Sequence, residues 1–369
     1  MDCAAEENRN EGRQERRNYV VTSGEILIDM IPAKEKSNRT GVAYCAHPGG
    51  APANVAVGLA RLGCASRFFG KLSTDKFGNM LYRTLQRNGV DVGSLPPRSP
   101  KPTAIALVTL DRSGNRAFGF YHRDTAHWDM LAGEVNRKLL SDVSVCHVGS
   151  VSLSTEPSRT ATNKLIELAR RSGKLVSADL NIRPQLWDDS ESMVKHADAL
   201  VRKADVLRCS REDLIHAGID SSVTTAKAAV KGVMDRSQII ELSTRLMELG
   251  PGLVAITSGS AGAVLASRNG LVGVPALKVR ALDTTGAGDA FTAGLLCRIV
   301  RKGITSGREA SALTEEELYD FGAFSSVAAG ISCRKHGGIE SLPFLKEVIA
   351  AETKYRHARP LFAGSGGHR

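Results

Sequence analysis

The sequence predicts an α/β protein: a mainly parallel central sheet covered by helices on both faces, with a small β-lid. Three observations predict it. Short apolar runs alternate with segments of helical period along most of the chain, as βαβ units require. Glycines stand just behind three of those helical segments, at Gly89, Gly173 and Gly250, where a helix stops. One pair of β-type runs, Ala104–Leu110 and Arg116–Tyr121, interrupts the alternation around Asp111-Arg112-Ser113-Gly114-Asn115 and reads as a hairpin.

The elements follow in order. Residues 1–17 carry five acids, four arginines and no apolar periodicity, and read as a disordered tail. The acids argue against a transit peptide, and the missing apolar stretch argues against a signal peptide. Tyr19–Asp29 reads as an apolar strand. Pro52–Leu62 is helical, with Val55, Leu59 and Leu62 on one face and Pro52 in the first turn. Asp75–Asn88 is the next helix. Residues 34–46 and 102–123 are expected to form the lid, with Glu35–Ala46 pairing with the hairpin. Val143–Gly149, Lys174–Leu180, Ala204–Arg208 and Leu253–Thr257 read as strands. Pro157–Arg171, Ser237–Leu249, Gly288–Arg301 and Glu315–Cys333 read as helices. Ser221–Arg236 looks like a loop insertion, and residues 354–369 like a flexible tail. One domain is expected over residues 18–353, its ligands bound at the C-terminal ends of the strands, beneath the lid.

Composition bounds the function. The chain has 369 residues, 42% of them hydrophobic and 24% charged, which is ordinary for a globular protein with a sizeable core. No apolar run approaches the roughly 18 residues of a membrane helix. The formal net charge is +10, but no basic run reaches five residues, so a small phosphorylated ligand fits better than nucleic acid. The seven cysteines, an odd number, are widely spaced with no C-x-x-C pair, which points to a reducing, cytoplasmic setting without a zinc site or a disulfide framework.

The strongest local signal is Asp283-Thr284-Thr285-Gly286-Ala287-Gly288-Asp289-Ala290-Phe291, which runs into the helical pattern of Phe291, Leu295 and Ile299. A Gly-Ala-Gly turn at a helix start presents unpaired N–H groups, and the helix dipole adds positive potential there. The turn can hold an anion, with Asp289 beside it. Taken alone, a G-x-G-D turn is more often a tight turn with a helix-start acid.

The nine-residue string resembles the signature of the ribokinase-like, or phosphofructokinase-B, carbohydrate kinases. Gly49-Gly50-Ala51-Pro52-Ala53-Asn54-Val55-Ala56 resembles the family's glycine-glycine sugar turn in its fructokinase form. The resemblance covers residues 19–345. It extends to Gly24–Asp29, to Phe118–Arg123, to His147–Leu153 with Glu156-Pro157, to Asp179–Pro184 and to Leu253–Gly262. It implies an ATP-dependent kinase phosphorylating D-fructose to fructose 6-phosphate. A kinase of 2-keto-3-deoxygluconate or another sugar is the alternative, with a non-catalytic kinase-like scaffold behind it.

Site residues carry over the same way. Asp289 would be the general base, with the N–H groups of Gly286, Ala287 and Gly288 as anion hole. Asp29, Gly49, Gly50, Asn54 and Arg123 would bind the sugar. Asn181, Arg183, Ser210, Thr257, Gly259 and Gly262 would bind the nucleotide. Mg²⁺ would arrive with ATP, and Asp283 with the Thr285 carbonyl would form a monovalent-cation site, implying K⁺.

Three departures from the family pattern stand out. At the family's N-x-x-E position the chain reads Ser210-Arg211-Glu212-Asp213, so the Mg²⁺-positioning acid stays open between Asp213 and Glu212. The segment after the lid strand holds a bulky Trp128, which bears on the exact sugar. The insertion at Ser221–Arg236 is the third. Some relatives dimerise through the lid, so a homodimer of that kind is one assembly open to this chain, and the sequence leaves the oligomeric state open; no nucleic acid or membrane partner is expected.

Overall fold

The computed structural model describes residues 18–33, 43–110, 116–220, 236–355 and 360–364. The expected N-terminal tail, part of the first lid segment, the hairpin tip, nearly all of the insertion and most of the C-terminal tail lie outside the described residues. The strands are β1 (Tyr19–Ser23), β2 (Leu27–Pro32), β3 (Tyr44–Gly49), β4 (Ser66–Phe69), β5 (Ile105–Leu110) and β6 (Arg116–Tyr121). They continue with β7 (Val143–Gly149), β8 (Leu175–Asp179), β9 (Val206–Ser210), β10 (Leu253–Thr257), β11 (Ala263–Ser267), β12 (Gly270–Val274) and β13 (Phe362–Gly364). The helices are α1 (Ala51–Arg61), α2 (Lys76–Arg87), α3 (Ser158–Arg171), α4 (Ser190–Lys203), α5 (Arg211–His216) and α6 (Arg236–Leu249). After them come α7 (Ala287–Lys302), α8 (Gly307–Ser311), α9 (Glu315–Ser332), α10 (Gly338–Ser341) and α11 (Leu345–Tyr355).

Among the described residues the strands form two sheets. The central one has nine strands in the order β13-β12-β11-β10-β9-β8-β7-β1-β4. From β4 to β10 neighbours run parallel, and β11, β12 and β13 add an antiparallel edge. Its strands bury both faces, because successive residues point to opposite sides. Val20 packs with Leu59, Phe291 and Phe324 on one side, while Val21 packs with Leu165, Ala197 and Leu246 on the other. Leu253 and Val254 divide in the same way. The core thus has two layers, with α1, α7 and α9 on one face and α3, α4 and α6 on the other.

The second sheet is the lid, in the order β3-β2-β5-β6. Here the structure corrects two expectations. Tyr19–Asp29 is not one strand. It breaks at Gly24, after which β2 leaves the central sheet and joins the lid. The segment that includes Cys45 and Ala46 does not pair with the hairpin either. β3 pairs with β2, at Ile31 opposite Cys45, and β2 stands between β3 and the hairpin strand β5. The apolar run through Glu25 and Ile26 hides the break, since strands in both sheets are apolar. The short strands β4, β11 and β12 and helices α4 and α11 also went unread, although α4 carries helical spacing in Met193, Ala197, Leu200 and Val201.

Trp128 anchors the lid. It is buried against Val151, Leu186 and Phe120, and its Nε1–H donates to the His122 carbonyl at 2.7 Å. The bulky residue that departs from the family pattern therefore fastens the end of β6 to the body.

Candidate active site

Three chain segments meet between the central sheet and the lid. The β1–β2 crossover brings Glu25, the β3–α1 turn brings Gly50 and Asn54, and the start of α7 brings Gly286, Gly288 and Asp289. They line one cleft of about 450 Å³, with Asp29, Asn181, Arg183, Arg208, Ser210, Glu212 and Thr285 on its walls.

The helix start explains the turn sequence. Gly286 is the N-cap in the left-handed conformation, φ 80°, which a residue with a Cβ adopts only with strain. No side chain caps the helix, so its first N–H groups stay available. The Ala287 N–H turns away onto the Thr284 carbonyl at 3.2 Å, and Ala287 does not line the cleft. Of this turn, Gly286 and Gly288 line the cleft, flanking Ala287. Gly288 is there because of a close approach: a Cβ on it would lie 2.8 Å from the Arg208 guanidinium.

Asp289 sits in the first turn, 8% exposed. Asn54 Nδ2–H donates to its Oδ2 at 2.6 Å, across 235 residues of sequence. Burial pushes the Asp289 carboxyl up to about 6; the Asn54 bond and the charges of Arg208 and Arg183 pull it down, and Asp179 pushes it up. That places it near neutrality, where a general base works best.

Two other carboxyls of the cleft are also perturbed. Burial, with the negative charge of Asp289 added, raises Asp29 to about 7. Burial raises Glu25 to about 7, opposed by backbone N–H bonds, one from Ala51 at 3.2 Å. Gly49 lies directly against Asp29, where a Cβ would come within 2.1 Å of Oδ2.

Arg208, in the middle of β9, holds the site from below. Its Nη1 donates to both Asp179 oxygens at 3.1 and 3.2 Å, and its Nη2 to Thr257 Oγ1 at 2.7 Å. Thr292 Oγ1 also donates to Asp179, at 3.3 Å. A fixed cation thus lies against Gly288 at the helix terminus. Glu25 and Arg208 escaped the sequence analysis, though each carried a signal: a charged residue inside an apolar run must find a partner or face a site.

Several wall atoms have no partner among the described residues although they are buried. They are Glu25 Oε2, Asn54 Oδ1, His122 Nδ1 and Arg208 Nε. Buried polar atoms are almost always bonded, so four orphans around one cleft mark where a ligand supplies the partners.

The remaining expected residues divide. Asn181, Arg183 and Ser210 line the cleft, Asn181 with φ 32°. Thr257, Gly259 and Gly262 lie outside it; Gly259, exposed at φ 54°, and Gly262, buried at φ 101°, bound a turn beside β10. Arg123 lies outside too, in an adjoining recess with Tyr121 and Thr103, while His122 and His127 line the cleft itself. Between the two open acids, Asp213 has both oxygens engaged. Oδ1 accepts from the Ile182 N–H at 2.7 Å, and Oδ2 from the Ser210 N–H and hydroxyl, each at 2.7 Å. Glu212 faces the cleft, its side chain 55% exposed. Asp283 accepts from the Thr285 N–H at 2.7 Å and the Gly337 N–H at 3.1 Å, tying two loops together.

Comparison with known proteins fits this geometry. The profile of the pfkB family carbohydrate kinases matches residues 17–345. Fructokinase-1 of Zea mays is 37% identical over 335 residues, covering 90% of this chain and 97% of its own. The crystal structure of a Xylella fastidiosa fructokinase with bound ATP superposes with a TM-score of 0.80 at 27% identity, covering 92% of this chain and 100% of that one. A Vibrio cholerae O395 fructokinase holding fructose, ADP and a calcium ion gives a TM-score of 0.74 at 28% identity, covering 91% and 99%. A double mutant of that enzyme, at the same TM-score and identity and covering 90% and 98%, holds fructose, ADP and a potassium ion. The fold and cleft are those of a ribokinase-like sugar kinase. The chain belongs to the pfkB family of carbohydrate kinases.

Proposed function

We propose that the chain is an ATP-dependent fructokinase that makes fructose 6-phosphate, with Asp289 as general base. One observation carries the proposal: Asp289, bonded by Asn54 and raised to about 6, opens onto a cleft whose walls hold four unpartnered polar atoms. Sugar hydroxyls both donate and accept, and so match Glu25 Oε2 and Asn54 Oδ1. Asp29, Gly49 and Gly50 complete the sugar side, and Arg123 guards its rim. Asp289 accepts the hydroxyl proton as oxygen attacks the γ-phosphorus of ATP. The Gly286 and Gly288 N–H groups, with Arg208 behind them, stabilise the negative charge on the transferring group. Asn181, Arg183 and Ser210 face the nucleotide phosphates, and the turn of Gly259 and Gly262 lies toward the base. The lid keeps water from the phosphoryl group.

No cluster of three or more metal-ligating side chains occurs among the described residues. For an ion held mainly by phosphate oxygens, both acids line the cleft: Glu212 is the more exposed, with His216 3.9 Å from one oxygen, while both Asp213 oxygens already accept hydrogen bonds. Mg²⁺ bound there would neutralise charge on the phosphates. K⁺ would lie at the Thr285 carbonyl beside Asp283, whose two oxygens already accept the Thr285 and Gly337 N–H groups. No described helix is long and apolar enough to cross a membrane, and a cytoplasmic setting completes the proposal. A homodimer through the lid is consistent with Tyr121, 66% exposed on the edge strand β6.

A panel of sugars assayed by coupled ADP detection tests it. D-fructose is expected to give the highest kcat/KM, at least tenfold above glucose, ribose and 2-keto-3-deoxygluconate. A preference for the keto-deoxy acid would replace the sugar and keep the mechanism. ADP formation with none of them would return the chain to the binding-scaffold class.

A further inference from the structure

Helices α1 and α7 lie side by side and run parallel. Asn54 meets Asp289 at their N-terminal ends. One turn on, a Cβ at Gly58 would lie 2.7 Å from the Ala293 Cβ, so only glycine permits the approach. At the far end, Cys64 Sγ lies 2.9 Å from Cys297 Sγ, across 233 residues of sequence. Cys64 follows α1 in a turn closed by its N–H on the Leu59 carbonyl at 2.9 Å. It is partly exposed, whereas Cys297, on the inner face of α7, is buried. The Arg301 guanidinium is held at this turn by the Leu62 carbonyl, at 2.6 Å.

We propose that Cys64 and Cys297 form a reversible disulfide that staples α1 to α7 behind the catalytic cleft. The sulfur atoms need to approach by only about 1 Å, because a disulfide bond is close to 2.05 Å long. The roles of the two thiols follow from their surroundings. The neighbouring Cys297 S–H and the Arg301 charge hold the Cys64 thiol below its usual range against the opposing effect of burial. Cys297 is pushed up by its neighbour and by burial. Cys64 is therefore the attacking sulfur.

With a small disulfide such as oxidised glutathione as oxidant, the Cys64 thiolate attacks one glutathione sulfur, forming a mixed disulfide and releasing one glutathione thiolate. Cys297 gives its proton to that thiolate. Its own thiolate then attacks the Cys64 sulfur, and the second glutathione leaves and is protonated from solvent. Two protein thiols are oxidised, and one glutathione disulfide is reduced to two thiols.

The staple cross-links positions far apart in sequence, so it restricts the unfolded chain strongly. It lies about two helical turns from Asp289, roughly 12 Å along α7.

The test incubates the full chain in reduced and oxidised glutathione buffers, followed by peptide mapping and thermal unfolding. The expected result is a Cys64–Cys297 linked peptide pair, a mass lower by about 2 Da, and a Tm higher by about 5 °C or more, all reversed by dithiothreitol. Cys297→Ser is expected to retain glutathione on Cys64, and Cys64→Ser to retain none on Cys297. A mixed disulfide at Cys64 that never resolves onto Cys297 in the wild-type chain would overturn the proposal. A linked pair with an unchanged Tm would overturn the staple, and an adduct on Cys297 in Cys64→Ser would overturn the order of attack.

Discussion

At the α7 end of the cleft, the groups facing the proposed phosphoryl position are backbone N–H groups on a helix buried in the main core, with Arg208 fixed between Asp179 and Thr257. At the lid end, the groups facing the proposed sugar position are side chains: Asp29 and Glu25 on or beside β2, and His122 at the end of β6. The lid rests on a smaller cluster through Ile26, Ile28 and Phe68, and on the Trp128 anchor. The difference matches what each end must do. Phosphoryl transfer needs donors that do not reorganise as charge develops, and a helix start buried in a two-layer core supplies them. Sugar recognition needs donors and acceptors of particular shape on a part that can move aside, and side chains on a lightly packed sheet supply those.

The comparison is tested most strongly at Asp289. Asp289→Asn keeps the size and removes the proton acceptor. The kcat should fall by roughly 10²–10⁴-fold. Calorimetric affinities for ATP and sugar should change by less than about tenfold, since the backbone donors stay in place. A well-folded variant with half the wild-type kcat would remove Asp289 as base.

A matched pair of glycine substitutions separates the two ends. In Gly288→Ala the new methyl meets the Arg208 guanidinium at 2.8 Å, and Arg208 is tethered on two sides. We expect kcat to fall by about 10²-fold, the scale of losing one anion-hole donor. In Gly49→Ala the methyl displaces the Asp29 carboxylate. The sugar KM should rise by about tenfold or more while ATP affinity holds. Equal losses of kcat in both variants would erase the distinction.

Asn54 joins the two ends. Asn54→Ala should raise the sugar KM by roughly tenfold, since a lost bond to a charged or paired group costs about 1–3 kcal/mol. It should also shift the acid limb of kcat/KM. In the wild type that limb should fall about tenfold per pH unit below about 6, as Asp289 takes up its proton. Asn54 donates to the ionised carboxylate and so lowers its pKa; without that bond the limb moves to higher pH. A limb that stays at the wild-type pH in Asn54→Ala would detach Asn54 from the base.

The smallest effect belongs to the anchor. Trp128→Phe keeps an aromatic ring but loses part of the buried indole and the bond to the His122 carbonyl. A net cost of about 1 kcal/mol predicts a few-fold rise in sugar KM with no change for ATP. An ATP effect as large as the sugar effect would show that the anchor serves the whole cleft and not the lid.

The sequence by itself determined what depends on neighbours along the chain. Period and punctuation placed most of the helices and parallel strands within one or two residues, because apolar spacing and glycine stops act within a turn or two. The Gly286–Asp289 helix start was legible for the same reason. Its unpaired N–H groups follow from local geometry alone. Tertiary structure decided what depends on distant pairing. Only the fold sends β2 from the central sheet into the lid, turns the Ala287 N–H away, engages both oxygens of Asp213 so that Glu212 is left facing the cleft, and moves Arg123 to the rim. Only the fold joins Asn54 to Asp289, 235 residues on, and brings Arg208 beneath Gly288. Such contacts are not encoded by spacing. They arise because burying two apolar layers fixes α1 and α7 side by side, and the polar groups carried to their ends must then be satisfied by one another or by a ligand.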